Sequence, residues 1–128
     1  MAETRFTSYR GEVQDTIQLR IRRALEICGG TAERYAKENL TKNDSVKTGN
    51  LRNSITHQQV DENTEAVGTG VKYAPYVELG HNQEPGRYVA AIGKRLVADH
   101  VAAKPYLRPA VENHREEYEK IIKDELGL

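Results

Sequence analysis

The sequence predicts an α+β fold, with a long N-terminal helix and a C-terminal helix packed on a small antiparallel sheet, plus an extended hairpin-like arm. Three observations carry that expectation. Apolar residues recur at helical spacing from about Glu12 to Leu40, two short strand-like runs flank the loop "DENT", and a second helical pattern follows Pro109.

In the first element Val13, Ile17, Ile21, Leu25, Cys28, Ala32, Tyr35, Ala36 and Leu40 form one stripe, with Arg20, Arg22, Arg23, Glu26, Glu33, Arg34 and Lys37 mostly off it. Gly29-Gly30 interrupts the run, at about 1 kcal/mol per glycine relative to alanine. The stripe keeps its phase across them, so one helix, kinked or straight, is favoured over two. About 28 residues make a helix of roughly 42 Å. That is long for a chain of 128 residues, and part of the stripe is expected to meet something beyond the chain's own core.

"TKNDSVK" reads as a polar loop, after which Thr48 can cap a short turn anchored by Leu51. Ser54 to Val60 and Glu65 to Val71 are the candidate strands. Gly68 and Gly70 weaken the second or let another backbone come close. Pro75 to Leu79 reads as a single helical turn, opened by the proline and closed by Gly80 in a left-handed conformation. Residues 81 to 104 form the arm, expected to be mobile or ordered by a partner. Within it "RYVAAIGKRLVAD" suits a hairpin turning at Gly93-Lys94, or a helix with Val89, Ile92 and Leu96 on one face; the hairpin is preferred. Pro109 then opens a helix that Val111, His114, Tyr118, Ile121, Ile122 and Leu126 continue over 109–126. The whole is expected to be one domain spanning 1–128, with the strand hairpin and a tyrosine-rich corner at 48–80.

Composition narrows the function. Hydrophobic residues make up 38% and charged residues 30%, so a modest core, or one completed by neighbouring subunits, is expected. Nineteen basic residues balance nineteen acidic ones, which supplies no net field toward nucleic acid. The single cysteine excludes an internal disulfide and a cysteine-based zinc site. "MAETRFTSYR" lacks the apolar run of a signal peptide, and no stretch approaches the roughly 18 apolar residues of a membrane span. The chain is therefore expected to be made in a cytoplasm.

Motifs for chemistry are weak. His57, His81, His100 and His114 show no H-E-x-x-H pattern and no i, i+4 pair. "GTGVKY" contains G-x-G but leads into a proline corner, and Gly93-Lys94 lacks the rest of a phosphate loop. Ser45 and Ser54 lack a nucleophile elbow, and Cys28 lies on the apolar stripe as a small core residue. Glu78 beside His81 is the one candidate acid–base pair, and a solvated or interface charge is the preferred reading. No catalytic, metal or cofactor-binding residue is assigned, and no cofactor is expected.

Three segments together say more than any one. "TGNLRNSI" at 48–55, "VGTGVKYAPYVELG" at 67–80 and "AKPYLRPAVE" at 103–112 resemble, in this order, a family of small structural proteins of tailed bacteriophages and prophages. Its members are described as head–tail joining, neck or tail-completion components. His81 stands where threonine commonly follows the glycine, and Tyr106 where phenylalanine is usual. The resemblance implies a role in virion assembly with no enzymatic step. It implies a ring of copies around the DNA passage, between connector and tail proteins, in a virion built in the host bacterium. DNA would pass without specific binding, and no membrane is involved.

On this reading Leu51, Arg52, Tyr73, Tyr76, Glu78, Tyr106, Leu107 and Arg108 are the structural or interface residues. Tyr73, Tyr76 and Leu79 would pack against Leu51, Leu107 and the two helices, while Arg52, Glu78 and Arg108 would set salt bridges or subunit contacts. Truncating a buried tyrosine such as Tyr76 would then cost about 3–5 kcal/mol. Two other classes compete: a host-interaction or regulatory protein binding one partner through the tyrosine corner, and a small hydrolase or nuclease using His81 or His57 with Glu78.

Overall fold

The computed structural model describes residues 7–43, 49–82, 88–89, 94–95 and 100–128. Helix α1 runs from Arg10 to Lys42 without a break, about 50 Å of helix. Three threonines inside it return their hydroxyls to the preceding turn: Thr16 to Glu12 O, Thr31 to Ile27 O and Thr41 to Lys37 O. Polar β-branched residues are thereby held within the helix.

The stripe is buried only from the middle of α1 onward. Ala24, Gly29, Ala32, Ala36 and Leu40 are covered, whereas Val13 and Ile17 are 53% and 44% exposed. Four of the five covered residues are glycine or alanine, which lets the neighbouring elements come close to the helix axis.

Gly29 shows why. A Cβ added there would stand 2.7 Å from both His57 Nδ1 and Glu65 Cγ. The close approach expected at Gly68 or Gly70 therefore occurs at Gly29; a Cβ at either of the former would meet nothing within 4 Å.

Helix α2 (Asn50–Ser54) starts after Gly49, whose φ of 71° suits glycine, and it buries Leu51. Thr48, the expected cap, lies outside the described residues. Both strands are shorter than predicted: α2 takes up Ser54 before the first, and the second ends at Gly68 rather than Val71. Strand β1 (Thr56–Asp61) pairs antiparallel with β2 (Thr64–Gly68), His57 opposite Val67, with a register irregularity between Gln59 and Asp61. Asp61 Oδ1 accepts from Asn63 N at 2.8 Å and tightens the turn. The hairpin packs on α1.

Helix α3 (Ala74–Leu79) carries Pro75 in its first turn, as expected. Gly80 closes it at φ 72°, ψ 172°, so it is extended in ψ rather than left-handed helical, in a region that glycine alone occupies readily. The described residues of the arm pair as antiparallel strands, as the preferred hairpin expects: β3 (His81–Asn82) with β6 (His100–Val101), and β4 (Tyr88–Val89) with β5 (Lys94–Arg95). Tyr88 pairs with Arg95 and Val89 with Lys94, while Gly93 of the expected turn lies outside the described residues.

The C-terminal helix is divided. Helix α4 (Leu107–Glu112) and α5 (Arg115–Leu126) are separated at Asn113 and His114. A continuous helix would use the Ala110 carbonyl for the His114 N–H; here it accepts the Tyr118 hydroxyl instead. The His114 ring lies flat on Tyr35 of α1, centroids 3.5 Å apart and planes 3° off parallel. Spacing alone could not separate one helix from two that share this phase.

The core gathers Ala36, Leu40, Leu51, Ile55, Ala74, Tyr106 and Ala110, with Tyr35, Val67, Val71, Tyr73, Val77 and Leu107 against it. The fold is α+β with mostly helical content, helices packed with a small antiparallel sheet.

Candidate functional site

The three quoted segments meet at one junction, organised by Glu78. Helical spacing on α3 turns Ala74, Val77 and Glu78 inward. Glu78 Oε2 accepts from the backbone N–H of Tyr106 at 2.7 Å and of Leu107 at 3.0 Å, and Oε1 accepts from Arg108 N–H at 2.9 Å. Residue 109 is proline and has no N–H, so one carboxylate satisfies all the donors at the start of α4. A negative group also suits that end of a helix. The helix starts at Leu107, two residues before the predicted Pro109, because these donors are met from α3.

Tyr106 is the hub and is fully buried. Its carbonyl accepts from Asn39 Nδ2 at 3.1 Å, and its hydroxyl donates to the Ala74 carbonyl at 3.4 Å. Burial first, then the Glu78 charge and Tyr73, push its hydroxyl up to about 12. Pro105 O accepts from Asn43 Nδ2 at 3.0 Å, and Lys104 N–H donates to Val77 O at 2.8 Å. The segment before α4 is thus tied to α1 and α3 alike.

The "TGNLRNSI" segment supplies Leu51 and Ile55 to the same core. Ser54 donates to Leu51 O at 2.7 Å and meets the Thr69 hydroxyl, which accepts from Val71 N–H at 3.1 Å. Its hydroxyl is part of a turn.

Several expected roles change. Tyr76 and Leu79 are 55% and 76% exposed, on the outer face of α3, so they are not core residues. Tyr73 and Val77 are half-buried, and Tyr106 and Ala74 are the buried members of this part of the core. Glu78 makes no salt bridge with a motif arginine; it caps a helix. Arg108 lies on the surface, Nε 3.2 Å from Glu112 Oε1. Arg52 is half-buried, with no ion pair among the described residues. Leu51 and Leu107 are in the core cluster or against it.

Two polar clusters were not anticipated. His57 Nδ1 lies 2.9 Å from Glu65 Oε1 across the hairpin, seated over Gly29. The carboxylate beside His57 is therefore Glu65 rather than Glu78. The side chain of His81 lies outside the described residues. The second cluster joins α1 to α5, where the Tyr35 hydroxyl donates to Glu117, Arg34 sits 4.8 Å from the Tyr35 ring centroid, and Cys28 Sγ reaches Tyr118 O at 3.8 Å. The bond to Glu117, with burial and charge behind it, raises the Tyr35 hydroxyl. Burial first and Glu117 second push the Cys28 thiol up, away from a reactive thiolate. The only hint in sequence was Gly29, a glycine held mid-helix.

Among the described residues no group of three or more histidine, cysteine, aspartate or glutamate side chains could hold a metal, and no helix is long and apolar enough to cross a membrane. The junction's polar groups serve internal structure. The chain belongs to the HK97 gp10-like family, described as "Bacteriophage HK97-gp10, putative tail-component", whose sequence model matches residues 4–80. That span, more than half of the chain, runs through α1, the hairpin and α3; "AKPYLRPAVE" lies beyond it. No curated protein and no solved structure matches.

Proposed function

We propose that this phage tail-component protein acts in head–tail joining or tail completion, as a ring of copies around the DNA passage, touching connector and tail proteins. The observation that carries this reading is the outward pair Tyr76 and Leu79 on a corner whose inner side is already filled. Leu19 is exposed elsewhere, in a groove shared with Asp15, Arg22, Gln59 and Glu62. A head-to-tail contact joins two different patches of one chain, and such contacts close into rings when the rotation permits. The balanced charge suits a passage through which DNA moves without sticking. No enzymatic step belongs to this role.

The test is particle morphology after disrupting the gene in its source phage or prophage. Filled heads beside separate tails would support the junction, and overlong or unfinished tails would support the tail end. Normal infectious virions would overturn the reading.

A further inference from the structure

We infer that the free chain pairs with a second copy of itself, antiparallel, through the N-terminal half of α1. Residues 10–20 are all exposed, and the cover their own chain gives these three turns is partial, with Leu126 of α5 beside them. In proteins most helical stability comes from packing an amphipathic face rather than from propensity, and this stretch has its apolar side largely unpacked.

That face lies in a groove lined by Glu12, Val13, Thr16, Ile17, Arg20 and, from α5, Leu126. The groove is apolar in the middle, acidic at one end and basic at the other. Glu12 and Arg20 are eight residues apart, about 12 Å along the helix, too far to pair with each other. Neither has an ion-pair partner among the described residues.

Charge order selects the occupant and its direction. A copy turned by a two-fold axis near Thr16 interleaves Val13 and Ile17 of the two chains and sets Glu12 of each chain beside Arg20 of the other. On a helical wheel Glu12, Thr16 and Arg20 share one flank of the stripe, and an antiparallel two-fold pair brings like flanks together. Parallel pairing would set Glu12 on Glu12 and Arg20 on Arg20. The pair goes beyond the ring reading, because a two-fold contact closes on itself at two copies and cannot propagate around a ring.

The test is the mass of the full chain in solution, by sedimentation equilibrium at low salt over a range of concentrations. The wild type should rise from 14.4 kDa toward twice that value. Glu12→Arg alone and Arg20→Glu alone should each stay at the protomer mass, with helicity unchanged because both positions are exposed. An equimolar mixture of the two should pair again, since each supplies the charge the other lacks. A wild type that stays monomeric, single variants that associate like the wild type, or a mixture that stays monomeric would each overturn the pair. Closed rings of more than two wild-type copies would overturn it as well while leaving the ring reading standing. Normal virions after gene disruption would remove the ring reading without touching the pair.

Discussion

The two faces of α3 carry different side chains and meet opposite surroundings. Inward, Ala74, Val77 and Glu78 contact the core and the start of α4; outward, Tyr76 and Leu79 stand in solvent. The larger apolar groups lie outside and the charge lies inside. In a segment of six residues, size and hydrophobicity do not decide which side is buried. The decision falls to the backbone donors of residues 106–108, which need an acceptor that Glu78 supplies. The inner face therefore holds the fold together, and the outer face is exposed.

The strongest way to break this contrast is Tyr106→Ala. It empties the centre of the core and should lower stability by about 3–5 kcal/mol, read as a large fall in urea midpoint or loss of folded protein. A melting curve like the wild type's would show that Tyr106 is not the hub. Glu78→Ala comes next, at about 1.5–3 kcal/mol, since it removes charge-assisted bonds and leaves the Tyr106 N–H without an acceptor. Hydrogen exchange should then speed up at Tyr106, Leu107 and Arg108 before it does in α1. Uniform acceleration along the chain would argue against a local cap.

Much of the fold was legible because periodicity reports elements directly. The stripe from Val13 to Leu40 predicted α1, and the run around "DENT" predicted the hairpin. The site was less legible, for reasons seen at particular residues. Glu78 looks like any surface acid until residues 28–30 positions later supply its donors, a pairing that no local pattern encodes. Tyr76 was expected to pack inward with Tyr73 and Leu79, yet the buried tyrosine is Tyr106, from a distant segment. Gly29 registered only as a helix defect; its use appears when His57 and Glu65 come to rest on it. The division at His114 depends on a ring stack with Tyr35, also outside the reach of spacing.

Alkaline pH sharpens the same contrast on the inner side. The Tyr106 hydroxyl is raised from about 10 to about 12 by burial, so the folded state favours its neutral form. A raised folded value means the stabilisation is complete below about pH 10 and is lost as pH climbs toward 12. Tyr118 behaves alike, also raised to about 12 chiefly by burial. Tyr106→Phe should flatten part of this alkaline loss while changing neutral-pH stability little, because the bond it removes is long at 3.4 Å. An unaltered pH profile would place the loss at Tyr118 or elsewhere.

The smallest effect belongs to the outer face. Tyr76→Ala removes a side chain that is 55% exposed, and its cost should stay within about 0.5 kcal/mol, the usual range for surface positions. That is far below the value expected of a core tyrosine, so a single thermal melt separates the two. If the isolated protein melts as the wild type does while virions carrying the variant assemble poorly, the outer face acts between molecules. Adding Leu79→Ala should deepen the assembly defect and leave the melt where it was, because a 76% exposed side chain contributes little to the core. A melt that falls by several kcal/mol would instead return Tyr76 to the interior and erase the distinction between the two faces of α3.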